Sequence, residues 1–577
     1  MHRKLIAACT VALLLGAGCA RADTVASSAS AMDHYQHVQQ IRDQARDIAG
    51  RQAGEADLKR AAALLDGALA YLARPDVSEL ATGNNYLYMR SYDVCRELAA
   101  IYARLGMREQ ALSTLEVLKR LAWIPAIGVM LAHDPDFASL RDEPRFQALL
   151  ADFAMPDTLW DAKAIATPYR DKLSVEERVA GLSLFWAEAR QNFVHFDNVP
   201  ELDWNRVYMD YLSKVIAAES TRDYYQVMRT LAPLLHDGHT NIYAPPELAD
   251  ELYARPPLRT ALVQDRVLVQ LVRSPALAQR VHVGDEIVAI DGMPVRTYAE
   301  QRVAPFVSSS TPQDQQVRMY DYELLLGAAA VPLKLRLRAA DGSEREENVE
   351  RSGYTDIASL PQFEFRMLPG GVAYFSLDHF ESDAGVKAFK QLLPQILQAK
   401  ALVIDVRRNG GGSSNYGYDI LSYLSRDPIP GSLSFWRTDD AFMRAQRGNM
   451  VKWSPLPARA PSLTHARDQV FTGPVALLIG PRTFSAGEDF VVAFDQMKRG
   501  PIVGEATGGS TGQPLLFKLP GGGQARICVK YDTYADGREF VGKGIAPTVA
   551  AAPTVESFRA GRDVALEQAL AALGTKQ

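Results

Sequence analysis

The chain has 577 residues, 47% of them apolar and 23% charged, with a formal net charge of −5. That length exceeds what one hydrophobic core supports and predicts about three to four domains. No Lys/Arg block or basic stripe breaks the balance, which argues against nucleic acid as a partner.

The first residues have the form of an export signal: His2-Arg3-Lys4, an apolar run from Leu5 to Leu15, then small residues. Ala20-Arg21-Ala22 fits cleavage after Ala22, which makes residues 1–22 a signal peptide, and Gly16-Ala17-Gly18-Cys19 offers a lipid anchor at Cys19 as the alternative. Further on, no apolar run reaches about 18 residues, so no membrane span is expected in the mature chain, and the expected location is the periplasm. Cys9 and Cys19 belong to this segment, leaving Cys95 and Cys528 far apart. Two such cysteines exclude a disulfide scaffold and argue against a thiolate metal site; both are expected to be buried and inert.

Residues 33–155 carry apolar residues at helical spacing, most clearly in "RELAAIYARLGMREQALSTLEVLKRL", where Gly106 separates two helices. With Leu98, Tyr102, Gly106, Ala111 and Leu115 at suitable positions, the stretch resembles a tetratricopeptide unit. Residues 156–250 again read as helices, ending in "LLHDGHTNIYAP". From 255 to 350, β-prone runs alternate with turns at Gly284-Asp285 and Asp291-Gly292. Here "VGDEIVAIDGMPV" resembles a PDZ domain, a fold that captures an extended chain end as an added strand.

From 358 to 555, strands and helices alternate through "VAYFSLD", "ALVIDVR", "VALLIG" and "PIVGEA". This rhythm predicts an α/β layer architecture whose functional residues lie beyond the strand C-termini. Residues 556–577 are expected to form a C-terminal helix. The expected fold class is multidomain α/β.

Three clusters could carry chemistry. In His236-Asp237-Gly238-His239-Thr240 the turn places His239 on a loop, as a base or as a surface histidine. In "ALVIDVRRNGGG" a buried strand runs into Gly410-Gly411-Gly412, whose bare N–H groups suit an anion. The spacing misses a phosphate loop, which leaves an oxyanion hole or a tight turn. In "GPRTFSAGEDF" a strand breaks and a helix opens at Ser485, with Glu488 three residues on. Ser-x-x-Glu predicts a capping box, yet a helix N-terminus also suits a nucleophile. The last histidine is His465, so a base for Ser485 has to come from upstream.

In this order, "LLHDGHT", "VIDVRRNGGG", "GPRTFSAGEDF", "VGEATGGSTGQP" and "GKGIAP" resemble the tail-specific (C-terminal-processing) and tricorn-type serine peptidases. The resemblance spans about 165 to 555 and implies Ser485 as nucleophile. It also implies an oxyanion hole from the N–H of Ala486 with one from Gly410 or Gly411. The family's Ser–Lys branch has a lysine where this chain has Ser510, and the tricorn-like branch has a histidine where this chain has His239. Histidine is also the usual base for serine near neutral pH. The third member is open between Glu488 and Glu539, followed by Asp237. Val541 stands where the resemblance expects an acid, and Gly238 where tricorn-type enzymes have a serine.

The implied activity is peptide hydrolysis through an acyl-enzyme, on a peptide or protein substrate and with no metal or cofactor. The alternative is a catalytically degenerate binding module of the same fold, as in the interphotoreceptor retinoid-binding proteins. Retention of His239, Ser485 and the glycine loop together favours catalysis.

Overall fold

The computed structural model describes residues 29–574 except 51, 83–84, 122–124, 154–162, 354–360, 428, 447, 449–450 and 457–468. The expected signal peptide and Cys19 lie outside the described residues. The chain divides into two compact units, one ending at Asp161 and the other starting at Ala162. Among the described residues, no helix is long and apolar enough to cross a membrane.

The first unit is helical. The spacing read on either side of Gly106 corresponds to helices Asn85–Arg104 and Arg108–Leu121, and Gly106 adopts the left-handed φ of +70° that the turn requires. Cys95, Ala99, Leu112, Leu115 and Leu118 fall on the inward stripes of these helices and join Phe137 and Phe146 in one core.

The second unit is built around a six-stranded sheet. In spatial order its strands are Val549–Ala550, Ile502–Gly504, Val475–Ile479, Ala401–Asp405, Val372–Leu377 and Phe363–Leu368. The first five run parallel, and the last pairs antiparallel at the edge. A parallel strand covered on both faces has no solvent side, so its sequence is continuously apolar rather than alternating. Ala401–Asp405 and Val475–Ile479 are buried at every position. Helices Ala384–Gln398, Ser414–Leu421 and Ala486–Gln496 cover one face, and Val564–Ala572 the other.

A second six-stranded antiparallel sheet occupies 258–349, beginning with Leu258–Val263. A small antiparallel sheet joins Asn241–Tyr243 to Gln524–Cys528 and Pro514–Lys518. The pairing Asn241↔Arg526 anchors the loop that carries His239 beside the loop 505–513. Residues separated by most of the unit's length thereby meet above the strand ends Asp405 and Ile479.

Candidate active site

Asp405 and Ile479 end neighbouring parallel strands, and the chain turns out of the sheet after each. Thr483 ties the two turns together: its Oγ1 donates to the Val406 carbonyl at 2.8 Å and accepts from the Gly480 N–H at 3.1 Å. This frame presents Ser485 with φ 56° and ψ −124°, a left-handed conformation that a non-glycine residue holds only when its surroundings impose it. Its N–H donates to the Ser510 carbonyl at 2.9 Å, and its carbonyl accepts from Glu488 N–H at 2.8 Å.

The capping box expected from Ser485-x-x-Glu488 does not form. The Ser485 side chain makes no cap hydrogen bond. At this backbone conformation Oγ points away from the helix and lies 3.0 Å from His239 Nε2. Glu488 turns instead to the loop 507–510, accepting from Thr507 Oγ1 at 2.5 Å, Gly509 N–H at 2.8 Å and Ser510 N–H at 2.7 Å. Burial pushes its carboxyl up to about 8, against these three donors, which pull the other way.

His239 is buried, whereas His236 is exposed. Its ring stacks on Phe484 with centroids 4.6 Å apart, and the Arg318 guanidinium lies over that phenyl ring. Nδ1 lies 2.8 Å from Ser510 Oγ. An Nε2 that accepts the Ser485 proton requires the tautomer protonated at Nδ1, donating to Ser510. Burial first, then the charges of Arg526, Arg318 and Lys530, hold the His239 pKa well below the usual histidine value.

The glycine loop abuts the serine. Gly411 has φ +103°, and a Cβ there would sit 2.6 Å from Ser485 Cβ. Gly412 has φ +126°, and its Cβ would fall 2.1 Å from the Phe380 carbonyl oxygen. Buried Asn409 latches the loop through Nδ2 to the Leu377 carbonyl at 3.0 Å. Its Oδ1 accepts the Gly411 N–H at 3.0 Å. Of the expected oxyanion donors, Gly411 is therefore engaged, leaving Gly410 and Ala486. Ala486 is the first helical residue, where the N–H has no intrahelical partner.

The other expected acids lie elsewhere. Glu539 is half exposed and bound to Lys543 Nζ at 2.7 Å and Tyr531 Oη at 2.9 Å. Asp237 is buried and accepts from Thr240 Oγ1 at 2.6 Å, with Ser310 Oγ at 3.4 Å. Neither is the partner of His239 Nδ1; Ser510 holds that place. Its position was legible in the sequence only as a missing lysine, and a hydroxyl partner for histidine has no pattern of its own. Phe484, Arg318 and Asn409 carried no sequence signal of a role either.

Two cavities open onto Ser485. One, of ≈ 430 Å³, runs past Gly410, Phe484 and Arg526, and the other, of ≈ 370 Å³, past Ser414, Ser432, Asp489 and Lys530. The first also receives Arg318, from the segment between the strands of the 258–349 sheet. Neighbouring residues of that segment hold the site loops: Gly238 N–H donates to Ser310 Oγ at 2.9 Å, and Thr311 Oγ1 donates to the Gly508 carbonyl at 2.8 Å.

Residues 371–551 match peptidase family S41. A carboxyl-terminal-processing protease of Picosynechococcus sp. (strain PCC 7002) is 27% identical over 272 residues, covering 46% of this chain and 56% of that relative. The chain thus matches little more than half the length of this relative. Among solved structures, mature CPAF complexed with lactacystin superposes with a TM-score of 0.54 at 14% identity, covering 67% of this chain and 95% of that one. A second structure of mature CPAF gives 0.53 at 16% identity, covering 67% and 94%. At this identity the likeness is one of fold.

Proposed function

Because residues 371–551 match peptidase family S41, we propose that the chain is a serine peptidase with Ser485 as nucleophile and His239 as general base. The observation that carries this reading is the 3.0 Å approach of Ser485 Oγ to His239 Nε2. The hydroxyl proton passes to Nε2 as Oγ attacks the peptide carbonyl, and the oxyanion that forms is held by N–H groups of Gly410 and Ala486. The imidazolium then gives its proton to the leaving amine, the C–N bond breaks, and an ester on Ser485 remains. Water attacks the ester, His239 takes its proton, and Ser485 recovers the hydroxyl hydrogen as the carboxylic acid leaves.

Ser510 completes a Ser–His–Ser relay. Its hydroxyl orients the imidazole without adding a negative charge, and Glu488 holds Ser510 through the main chain. The substrate is a peptide or protein, whose side chains on either side of the scissile bond enter the two cavities. We read residues 255–350 as a PDZ-like domain and 33–155 as a tetratricopeptide-like region. The antiparallel sheet of the first and the paired helices around Gly106 in the second support these assignments. The leader-like residues 1–22 assign the activity to the periplasm.

A fluorophosphonate probe tests the reading. It labels the wild-type chain once, and Ser485→Ala and His239→Ala both abolish labelling. A folded wild type that stays unlabelled removes the proposal.

A further inference from the structure

Close to His239, three side chains of different chemistry meet. His195, Asp237 and Cys528 place an imidazole nitrogen, a carboxylate oxygen and a thiol sulfur all within 4.8 Å of one another, and all three residues are buried. They come from separate parts of the chain. His195 follows helix Val175–Asn192, Asp237 lies on the loop that carries His239, and Cys528 ends the strand Gln524–Cys528. The Val194 N–H donates to the Cys528 carbonyl at 3.3 Å, which fixes the first against the third.

His195 is the informative member. It is only 1% exposed, yet neither Nδ1 nor Nε2 has a hydrogen-bond partner. A buried polar group without a partner is uncommon and calls for an explanation, a bound ion being one. Phe193 and Tyr531 hold the ring edge-on and tilted, so its orientation is set by packing alone.

We propose that His195, Asp237 and Cys528 form a Zn²⁺ site that switches off the neighbouring catalytic centre; the inhibitory part rests on the peptidase reading above. Nitrogen, thiolate and carboxylate are the donors zinc takes, with bonds of about 2.0–2.3 Å. Magnesium and calcium prefer all-oxygen sets. Binding releases the Cys528 thiol proton to solvent as the Zn–S bond forms. Tetrahedral bonds of that length set donors about 3.3–3.8 Å apart, so closing a cluster whose atoms lie within 4.8 Å of one another draws its members inward by up to about 1 Å. Asp237 lies two residues before His239, and Gly512 packs between Cys528 Sγ and the His239 ring with no room for a Cβ. A displacement of about 1 Å at a general base lowers the rate about 10²-fold.

Cobalt and zinc titrations of the full chain, freed of metal with a chelator, test the proposal. Co²⁺ gives a thiolate-to-cobalt charge-transfer band at one ion per chain in the wild type, lost in both Cys528→Ser and His195→Phe. Zn²⁺ slows fluorophosphonate labelling of the wild type at least about 10-fold, chelator restores it, and the two variants are unaffected. A folded wild type with no such band overturns the site. Inhibition that persists in both variants overturns the switch, because zinc then acts on His239 directly. Circular dichroism confirms that the variants are folded. A stoichiometric band in a chain that never labels keeps the metal site and removes the peptidase reading.

Discussion

Ser510 Oγ lies 2.8 Å from His239 Nδ1, on the side of the imidazole opposite Ser485. A hydroxyl accepts a hydrogen bond from Nδ1–H and fixes the tautomer, but offers the imidazolium no opposite charge. In the proposed mechanism Ser510 is therefore a positioning residue. Ser510→Ala lowers kcat about 10- to 100-fold with KM nearly unchanged, and Ser510→Thr restores most of the loss. Steady-state kinetics on a fluorogenic peptide check the split; a raised KM at constant kcat contradicts the role.

The buried, cation-flanked His239 stays neutral at pH values where an ordinary histidine is protonated. In the proposed mechanism the base form is the active one, so activity rises with pH through a folded-state pKa that lies below 6.5. The rate of fluorophosphonate labelling from pH 4.5 to 9 is expected to be near its plateau by pH 6.5. A half-maximal point at or above 6.5 contradicts the assignment.

Burial pushes the Glu488 carboxyl up to about 8 in the folded chain, well above the usual glutamate range. A raised folded-state pKa contributes stability that is complete below the unfolded value and is lost as pH rises through about 8. Between these limits the unfolded chain has released a proton that the folded chain keeps, so stability falls by up to about 1.4 kcal/mol per pH unit from this group. Urea midpoints at pH 5, 6, 7 and 8 check this, since Glu488→Gln removes that part of the slope. Equal slopes in the two chains contradict it. Because the glutamate also holds Thr507, Gly509 and Ser510, Glu488→Leu leaves three buried donors unpaired and destabilises by about 1–3 kcal/mol per donor.

Gly411→Ala places a Cβ 2.6 Å from Ser485 Cβ at a φ of +103°. The nucleophile and the glycine loop cannot both keep their positions, and the labelling rate falls at least about 10²-fold. Gly410→Ala is its control: a Cβ at Gly410 meets nothing within 4 Å. That variant keeps its melting temperature. A Gly411→Ala chain that labels at the wild-type rate contradicts the close approach.

The sequence by itself determined the parallel core and the placement of Ser485. Strands buried on both faces are written as unbroken apolar runs, such as Ala401–Asp405 and Val475–Ile479, and their ends mark where functional loops emerge. It also restricted which histidines could serve Ser485 to upstream ones, because no histidine follows His465. Only the tertiary structure decided the partner of that base. Ser510 is 271 residues from His239, and the two meet because a short antiparallel register, Asn241↔Arg526, carries one loop to the other. The same reason turned Glu488 from a helix cap into a brace for the 507–510 loop. Hydrophobic periodicity is a property of neighbours in the chain, whereas a polar partner across a loop is set by sheet pairing and has no period to read.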